Sequence, residues 1–533
     1  MKTLRQAVLV LLLVFGAAEL AAWLFSLVNE DRFLQADIAA FVPSQERIDL
    51  ERAVFHPELG WKRRFPTRLG QRPQAVLPDR ILLATYGDSF TYCDEVLGFE
   101  TWQTHLAGLL GGGVLNFGNG AYGPDQAYLR FLEDQPAAGA PVAVLSLIGE
   151  NIARVVNVYR RFYLPQEGNA LTKPRFRLEQ GALVLEPNPT PTQASRQRLR
   201  EVEFLRDIGQ RDYWFLRRTR QAAAFPYSSI FFNINQLQEV LNNVQWMRVW
   251  DEPGPRTLLL TLLDAFARDA RAMGAQPVIG ILPMELDMLH MVQRGAPPAY
   301  VETIAAHCRA AGIPCFDAVS ALGATCKDAA AVRDLYLTTH CSPLGNERLA
   351  LAWYEFLRTT VPERFGHLPA GEAALRSSAL AGQTQAVLPR LRGVEPLRPR
   401  ETASPGTASP GATLANATAL AAWFVTLGDG EAAPPEPLQF AAAWLQEGRQ
   451  AAAELVKSLL LAPALQARSD MTDARFIALA ARTLWGAPPP AAEAARLEAL
   501  LADRVATRAD VVYSLLWDAR FRDHCAAYGV RAY

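Results

Sequence analysis

The amino-acid sequence predicts an α/β protein: a parallel sheet layered between helices, with an apolar helix ahead of it and an all-α domain behind it. Three observations predict this. Short apolar runs alternate with helical patterns from residue 81 to residue 358, and such alternation marks a parallel sheet with helices on both faces. Residues Ala7 to Val28 form an almost unbroken apolar stretch, long enough to span a bilayer as a helix. Residues 413–533 are rich in Ala and Leu with helical periodicity.

The apolar stretch opens the chain. Lys2 and Arg5 precede it, and Asn29, Glu30 and Asp31 follow it. That bias keeps the N-terminus in the cytoplasm and sends the remaining chain to the periplasm or the cell exterior. A cleaved signal peptide with Gly16-Ala17-Ala18 as its small-residue site is the alternative. The apolar run continues through Trp23, Leu24 and Phe25, which favours a retained inner-membrane anchor over 1–28. Glu19 lies inside the span and reads as a protonated or partner-facing carboxylate without a catalytic role.

Residues 29–80 read as a linker and lead-in segment containing His56-Pro57-Glu58-Leu59-Gly60-Trp61. Strand-like runs follow at Ile81–Tyr86, Val114–Phe117, Val142–Ile148, Pro277–Leu282 and Pro314–Phe316. Helical patterns lie between them at Trp102–Leu110, Asp125–Glu133, Thr257–Met273 and Tyr300–Ala311, and a last helix at Gly345–Arg358 closes the domain, 81–365. An insertion at 157–255 interrupts the alternation. It begins with a hairpin signal, Arg175–Leu178 and Ala182–Leu185 around Glu179-Gln180-Gly181, and continues as an Arg- and aromatic-rich helical stretch, Ser195–Trp250. Such an insertion either caps a site or extends the scaffold.

Residues 366–412, rich in Ala, Pro, Ser, Thr and Gly, read as a flexible linker. In the all-α domain beyond, Ser458–Leu465 echoes Ser514–Phe521, and Leu420–Leu427 echoes Ile477–Leu484. Two related helical units that bury their apolar faces on each other explain the echo. No convergent polar cluster appears there, so 413–533 reads as an interaction or spacer module.

Composition sets bounds. The chain has 533 residues, half of them apolar and 20% charged, the profile of a globular protein of about two or three domains. Net charge is −1, which argues against nucleic acid as a partner. Six cysteines are present without C-x-x-C metal spacing, so no metal or cofactor is expected. An oxidising compartment permits disulfides. Cys326–Cys341 and Cys93–Cys341 are candidate pairs, and free buried cysteines are the alternative.

Four blocks carry candidate chemistry. Gly87-Asp88-Ser89-Phe90 ends the first strand, where a strand-to-helix turn best exposes a nucleophile. Asn116–Gly123 follows the second strand, and Gly149-Glu150-Asn151 follows the third. His340-Cys341-Ser342-Pro343-Leu344-Gly345-Asn346 precedes the last helix. Ligands bind at the C-terminal ends of strands in open parallel sheets, and all four blocks fall there.

In order and content these blocks resemble the SGNH (GDSL-type) hydrolase family over residues 81–358. More narrowly, the chain resembles its membrane-anchored bacterial members, whose lead-in segment carries an ELGW-like sequence. The resemblance implies a flavodoxin-like three-layer sandwich and ester chemistry. It implies Ser89 as nucleophile and His340 as general base. It implies an oxyanion hole from the Ser89 N–H, a second N–H at Ala121 or Gly120, and the Asn151 amide. The chemistry agrees: serine needs a positioned imidazole to take its proton, and the developing oxyanion needs aimed donors. Two positions depart from the family. Leu337 stands where an aspartate usually precedes the histidine by three, which leaves Asp334 as the candidate acid or a Ser–His dyad. Glu150-Asn151 replaces the usual Asn-Asp pair, and if Glu150 takes the asparagine's place the oxyanion donor is lost. The C-terminal domain resembles a helical domain of unknown function on secreted and surface-associated bacterial proteins.

The expected function is an extracytoplasmic serine esterase that removes O-acyl groups, O-acetyl first among them, from a cell-envelope carbohydrate or lipid. An O-acyltransferase working from the same acyl-enzyme is the alternative. An inactive envelope scaffold is the reading from another class, supported by Leu337 and Glu150. Arg154, Arg160 and Arg161 read either as contacts for an anionic glycan or as a solvated helix face. The expected partners are an acylated substrate, the membrane through the first helix, and a protein through 413–533.

Overall fold

The computed structural model describes residues 2–28, 38–73, 80–164, 169–221, 226–228, 245–370, 419–421, 423–424, 452–528, 530 and 532. Most of the 366–412 linker, parts of the 157–255 insertion and half of Leu420–Leu427 lie outside the described residues. The chain divides into two compact units: 1–63, 121–133 and 147–269 in one, 64–120, 134–146 and 270–533 in the other.

The central element is a five-stranded parallel sheet with strands β1 (Ile81–Tyr86), β2 (Gly113–Asn116), β3 (Val142–Leu147), β4 (Gln276–Ile281) and β5 (Cys315–Asp317). Their order is 2-1-3-4-5. The register pairs Thr85 with Asn116 on one side and with Val144 on the other. Every residue of β2 and β3 is buried, as near-continuous apolar runs require in a parallel sheet. The helix Trp102–Leu110 packs on the helix Pro343–Thr360, with the Trp102 and Trp353 rings stacked at 5.5 Å. Ser342 caps the latter helix by accepting from the Gly345 N–H, and Pro343 opens it.

Element boundaries move by one to four residues from the sequence expectation in most cases. The helix Pro124–Ala138 runs past Glu133 and carries Pro136 inside it. A helix at Glu285–Arg294 was not anticipated; the Asp287 carboxylate accepts from the Met284 N–H at its start, and left-handed Gly295 ends it.

The helical domain of the same unit comprises Ala452–Leu460, Pro463–Gln466, Asp473–Trp485, Ala491–Ala502, Arg508–Leu516 and Ala519–Ala527. Its core gathers Val456, Phe476, Leu484, Val511, Leu515 and Phe521. The serines of the echo, Ser458 and Ser514, each sit near the end of a nine-residue helix followed by a short break and another helix. This domain contacts the chain on both sides of β1: Asp510 accepts from the Arg68 N–H ahead of it at 3.1 Å, and the Trp517 ring covers Gly98 after it closely enough that a Cβ there would lie 2.4 Å from the ring.

In the other unit, residues 2–28 form one helix. The side chains from Leu9 to Phe15 are exposed. No helix among the described residues is long and apolar enough to cross a membrane, so the anchor expectation is without structural support at that level. Glu19 is buried and accepts from the Ser228 N–H at 3.2 Å and from its hydroxyl. Within the lead-in segment, Phe55–His56 and Gly60–Trp61 pair as a small antiparallel hairpin. Leu59 and Trp61 bury against Tyr122 and Leu171. The hairpin of the insertion pairs Arg175–Glu179 with Ala182–Glu186 across a two-residue turn in which Gln180 and Gly181 both have positive φ, the turn that matches strand twist.

Candidate active site

Ser89 stands at the first position of a one-turn helix, Ser89–Tyr92, three residues after β1 ends at Tyr86. Gly87 makes the turn. A Cβ there would lie 2.1 Å from the Thr91 hydroxyl and 2.8 Å from the Ser146 carbonyl, so no larger residue fits. The buried Asp88 carboxylate accepts from the Phe90 N–H at 2.9 Å and caps the helix. Among the described residues neither the Ser89 hydroxyl nor its backbone N–H meets a hydrogen-bond partner.

The block after β2 locks onto this turn. The Phe117 N–H donates to the Thr85 carbonyl at 2.8 Å, and the Asn119 N–H to the Gly87 carbonyl at 3.0 Å. Asn116 accepts from the Gly118 N–H at 2.9 Å and donates to the Tyr92 carbonyl at 3.3 Å. A Cβ on Gly118 would lie 2.2 Å from the Tyr92 nitrogen. These bonds use the N–H groups of Phe117, Gly118 and Asn119; the predicted oxyanion candidates Gly120 and Ala121 follow, Ala121 in the other unit. Ala121 has φ 66, a left-handed backbone that glycine adopts without strain.

His340 rides on a tight loop. Tyr336 and Cys341 form an antiparallel bridge, and the Leu337 N–H donates to the His340 carbonyl at 2.9 Å. The imidazole packs on the Phe90 ring at 4.7 Å, beside the proposed nucleophile. Its Nδ1 lies 3.0 Å from Oε1 of Glu95. The other Glu95 oxygen accepts from the N–H groups of Thr338 at 3.0 Å and Thr339 at 3.3 Å. Burial raises the Glu95 pKa, but the His340 hydrogen bond and charge and the two backbone donors outweigh it and hold the carboxyl below its ordinary value.

Glu95 was not among the sequence candidates. The acid on His340 is this residue and not Asp334, which is exposed, ends the short helix Ala329–Arg333 and accepts from the Ser342 hydroxyl through its backbone carbonyl. A substitute acid was foreshadowed only by the leucine at 337 and by Asp94-Glu95 lying just after the nucleophile turn.

The remaining predicted residues belong to the other unit. Asn151 is buried at the start of the helix Asn151–Val155, and its Oδ1 accepts from the Ile148 N–H at 3.1 Å. Glu150 pairs with Arg154 at 2.9 Å. Burial would raise its pKa, yet Arg154, Arg160 and a bond from Tyr163 hold it below the ordinary range. Arg154 also donates to the Tyr122 carbonyl at 2.9 Å, and Arg161 to the Phe41 carbonyl at 3.3 Å. These arginines are committed to the scaffold rather than to a solvated face.

All six cysteines are free thiols. Cys93 and Cys341 are both buried, and burial pushes the Cys93 thiol up to about 12. Among the described residues no cluster of His, Cys, Asp or Glu fits a metal ion. No family model matches the chain, and a search of curated proteins returns no match.

Proposed function

We propose that this protein is an SGNH-type serine acyl hydrolase that removes O-acyl groups from a cell-envelope carbohydrate or lipid. The observation that carries the reading is the Glu95 carboxylate 3.0 Å from Nδ1 of His340, on a ring packed against the residue after Ser89. A carboxylate at Nδ1 holds the proton on that nitrogen and leaves Nε2 as the base. The strand order 2-1-3-4-5 supports the flavodoxin-like sandwich, whose ligands bind beyond the strand ends.

In the proposed reaction the Ser89 hydroxyl attacks the ester carbonyl carbon and passes its proton to His340 Nε2. The alcohol leaves with that proton. Water, deprotonated by His340, then releases the acid and restores the serine. The Ser89 N–H is the first proposed oxyanion donor; Gly120, Ala121 and Asn151 are the further candidates that the resemblance implies. Inner-membrane attachment with the site outside the cytoplasm is part of the proposal; it draws on the exposed apolar side chains from Leu9 to Phe15, on a helix that is not itself long and apolar enough to cross a bilayer.

The test is labelling of the full chain in detergent by a fluorophosphonate probe, with p-nitrophenyl acetate turnover measured alongside. Both activities are expected in the wild type and lost in Ser89→Ala and His340→Ala. A folded wild type that neither labels nor turns over overturns the reading in favour of an inactive scaffold. Acylated sugar formed faster than free acid, with a polysaccharide acceptor present, would make the enzyme an acyltransferase.

A further inference from the structure

We infer that Arg72 is a positioning residue for this site, acting on His340 through the loop that carries Glu95; the inference rests on the serine hydrolase reading. Arg72 lies in the segment ahead of the sheet, where the sequence offers no chemistry. It is buried, and its backbone N–H donates to the Asn116 carbonyl at 2.9 Å, at the end of β2. Its guanidinium donates to three backbone carbonyls: that of Tyr92, that of Cys93 at 2.9 Å and that of Val96 at 2.6 Å. It also lies 4.2 Å over the Tyr92 ring.

Those three carbonyls bracket Glu95. The backbone between them is strained: Cys93 has φ 63 and Glu95 has φ 76, left-handed conformations that residues with side chains hold only when their surroundings over-determine them. Arg72 supplies that constraint. A planar fork of donors reaches several carbonyls at once, which a lysine point charge does not. The fixed loop presents the Glu95 carboxylate to His340 Nδ1 and to the N–H groups of Thr338 and Thr339. Arg72 touches neither substrate nor imidazole in this scheme. Its effect on the serine therefore requires Glu95.

The experiment measures the second-order rate of fluorophosphonate labelling of the full chain. In that reaction the Ser89 Oγ–P bond forms, the P–F bond breaks with loss of fluoride, and His340 takes the serine proton. Wild type, Arg72→Lys, Glu95→Gln and the double variant are compared, with thermal melts to establish folding. Arg72→Lys is expected to label about 10- to 100-fold more slowly, the scale of a misplaced catalytic group. The double variant is expected to be no slower than Glu95→Gln alone, because the two act as one unit. Arg72→Ala is expected to regain rate with added guanidinium ion but not with ammonium at equal concentration, and it replaces the lysine variant if that one does not fold. A wild-type rate in Arg72→Lys overturns the inference. So do losses that multiply in the double variant, which mark Arg72 as an independent strut, and an absence of guanidinium rescue. An unlabelled wild type sinks the serine reading itself, whereas a labelled wild type with an indifferent Arg72 sinks only this step.

Discussion

Replacing Glu95 by Gln tests the site most directly. The carboxylate makes three contacts: His340 Nδ1 at 3.0 Å and the N–H groups of Thr338 and Thr339 at 3.0 and 3.3 Å. Glutamine keeps the shape. With its oxygen held by the two backbone donors, its amide N–H₂ faces Nδ1 and forces the ring proton onto Nε2. The nitrogen that should take the serine proton then already carries one. The equivalent loss in a serine triad costs about 10⁴-fold in rate, or roughly 5 kcal/mol of transition-state stabilisation. Stability changes far less, because both backbone bonds survive with a neutral acceptor; about 1 kcal/mol is expected. The assay pairs labelling and p-nitrophenyl acetate rates with thermal melts, and includes Asp334→Asn as the control. Glu95→Gln within tenfold of wild type, or Asp334→Asn falling by orders of magnitude, would refute the argument.

The depressed Glu95 pKa predicts a pH dependence. A carboxyl held lower in the folded state than its unfolded value near 4.5 stabilises the fold above that value and ceases to do so as pH falls through the folded pKa. The melting-temperature gap between wild type and Glu95→Gln should therefore be present at pH 6 and shrink towards pH 3; a constant gap contradicts it. Gly87→Ala should cost about 1–3 kcal/mol and abolish labelling, since its Cβ would meet the Thr91 hydroxyl and the Ser146 carbonyl; denaturant titration and labelling check both. Asp510→Ala removes the acceptor of the Thr507 and Arg68 N–H groups and should cost about 1–2 kcal/mol of stability by denaturant titration. A stability equal to wild type would mean the helical domain does not hold the segment at Arg68.

Much of the fold was legible because its signals are local. An apolar run that stops at Gly87-Asp88 announces a buried strand and a tight turn, and the alternation of such runs with amphipathic stretches announces the sheet. The last helix, expected from Gly345, begins two residues earlier at Pro343. The polar fabric of the site was less legible. Glu95 and His340 are far apart in the chain, and Glu95 arrives only because Cys93 and Glu95 take left-handed backbones that their residue types disfavour. Nothing in the composition of 93–96 predicts that. The choice between Glu150 and Asn151 was equally closed to sequence reasoning. It depends on which side chain turns to the Ile148 N–H and which to Arg154.

The place of the acid therefore says more about the site than its absence from position 337 does. A triad is defined by geometry, with one carboxylate on Nδ1 and one free nitrogen towards the hydroxyl, and unrelated folds reach it in different chain orders. Leu337 donates its N–H to the His340 carbonyl, so that position has a structural part in the loop. An acid six residues after the nucleophile, rather than three before the base, ties the Ser89 turn and the His340 loop together through one side chain. Any movement of the 93–96 loop then acts on the base and on the segment beside the nucleophile at once. In the proposed mechanism that coupling makes the strained backbone a liability unless it is held, which is the part proposed for the buried Arg72.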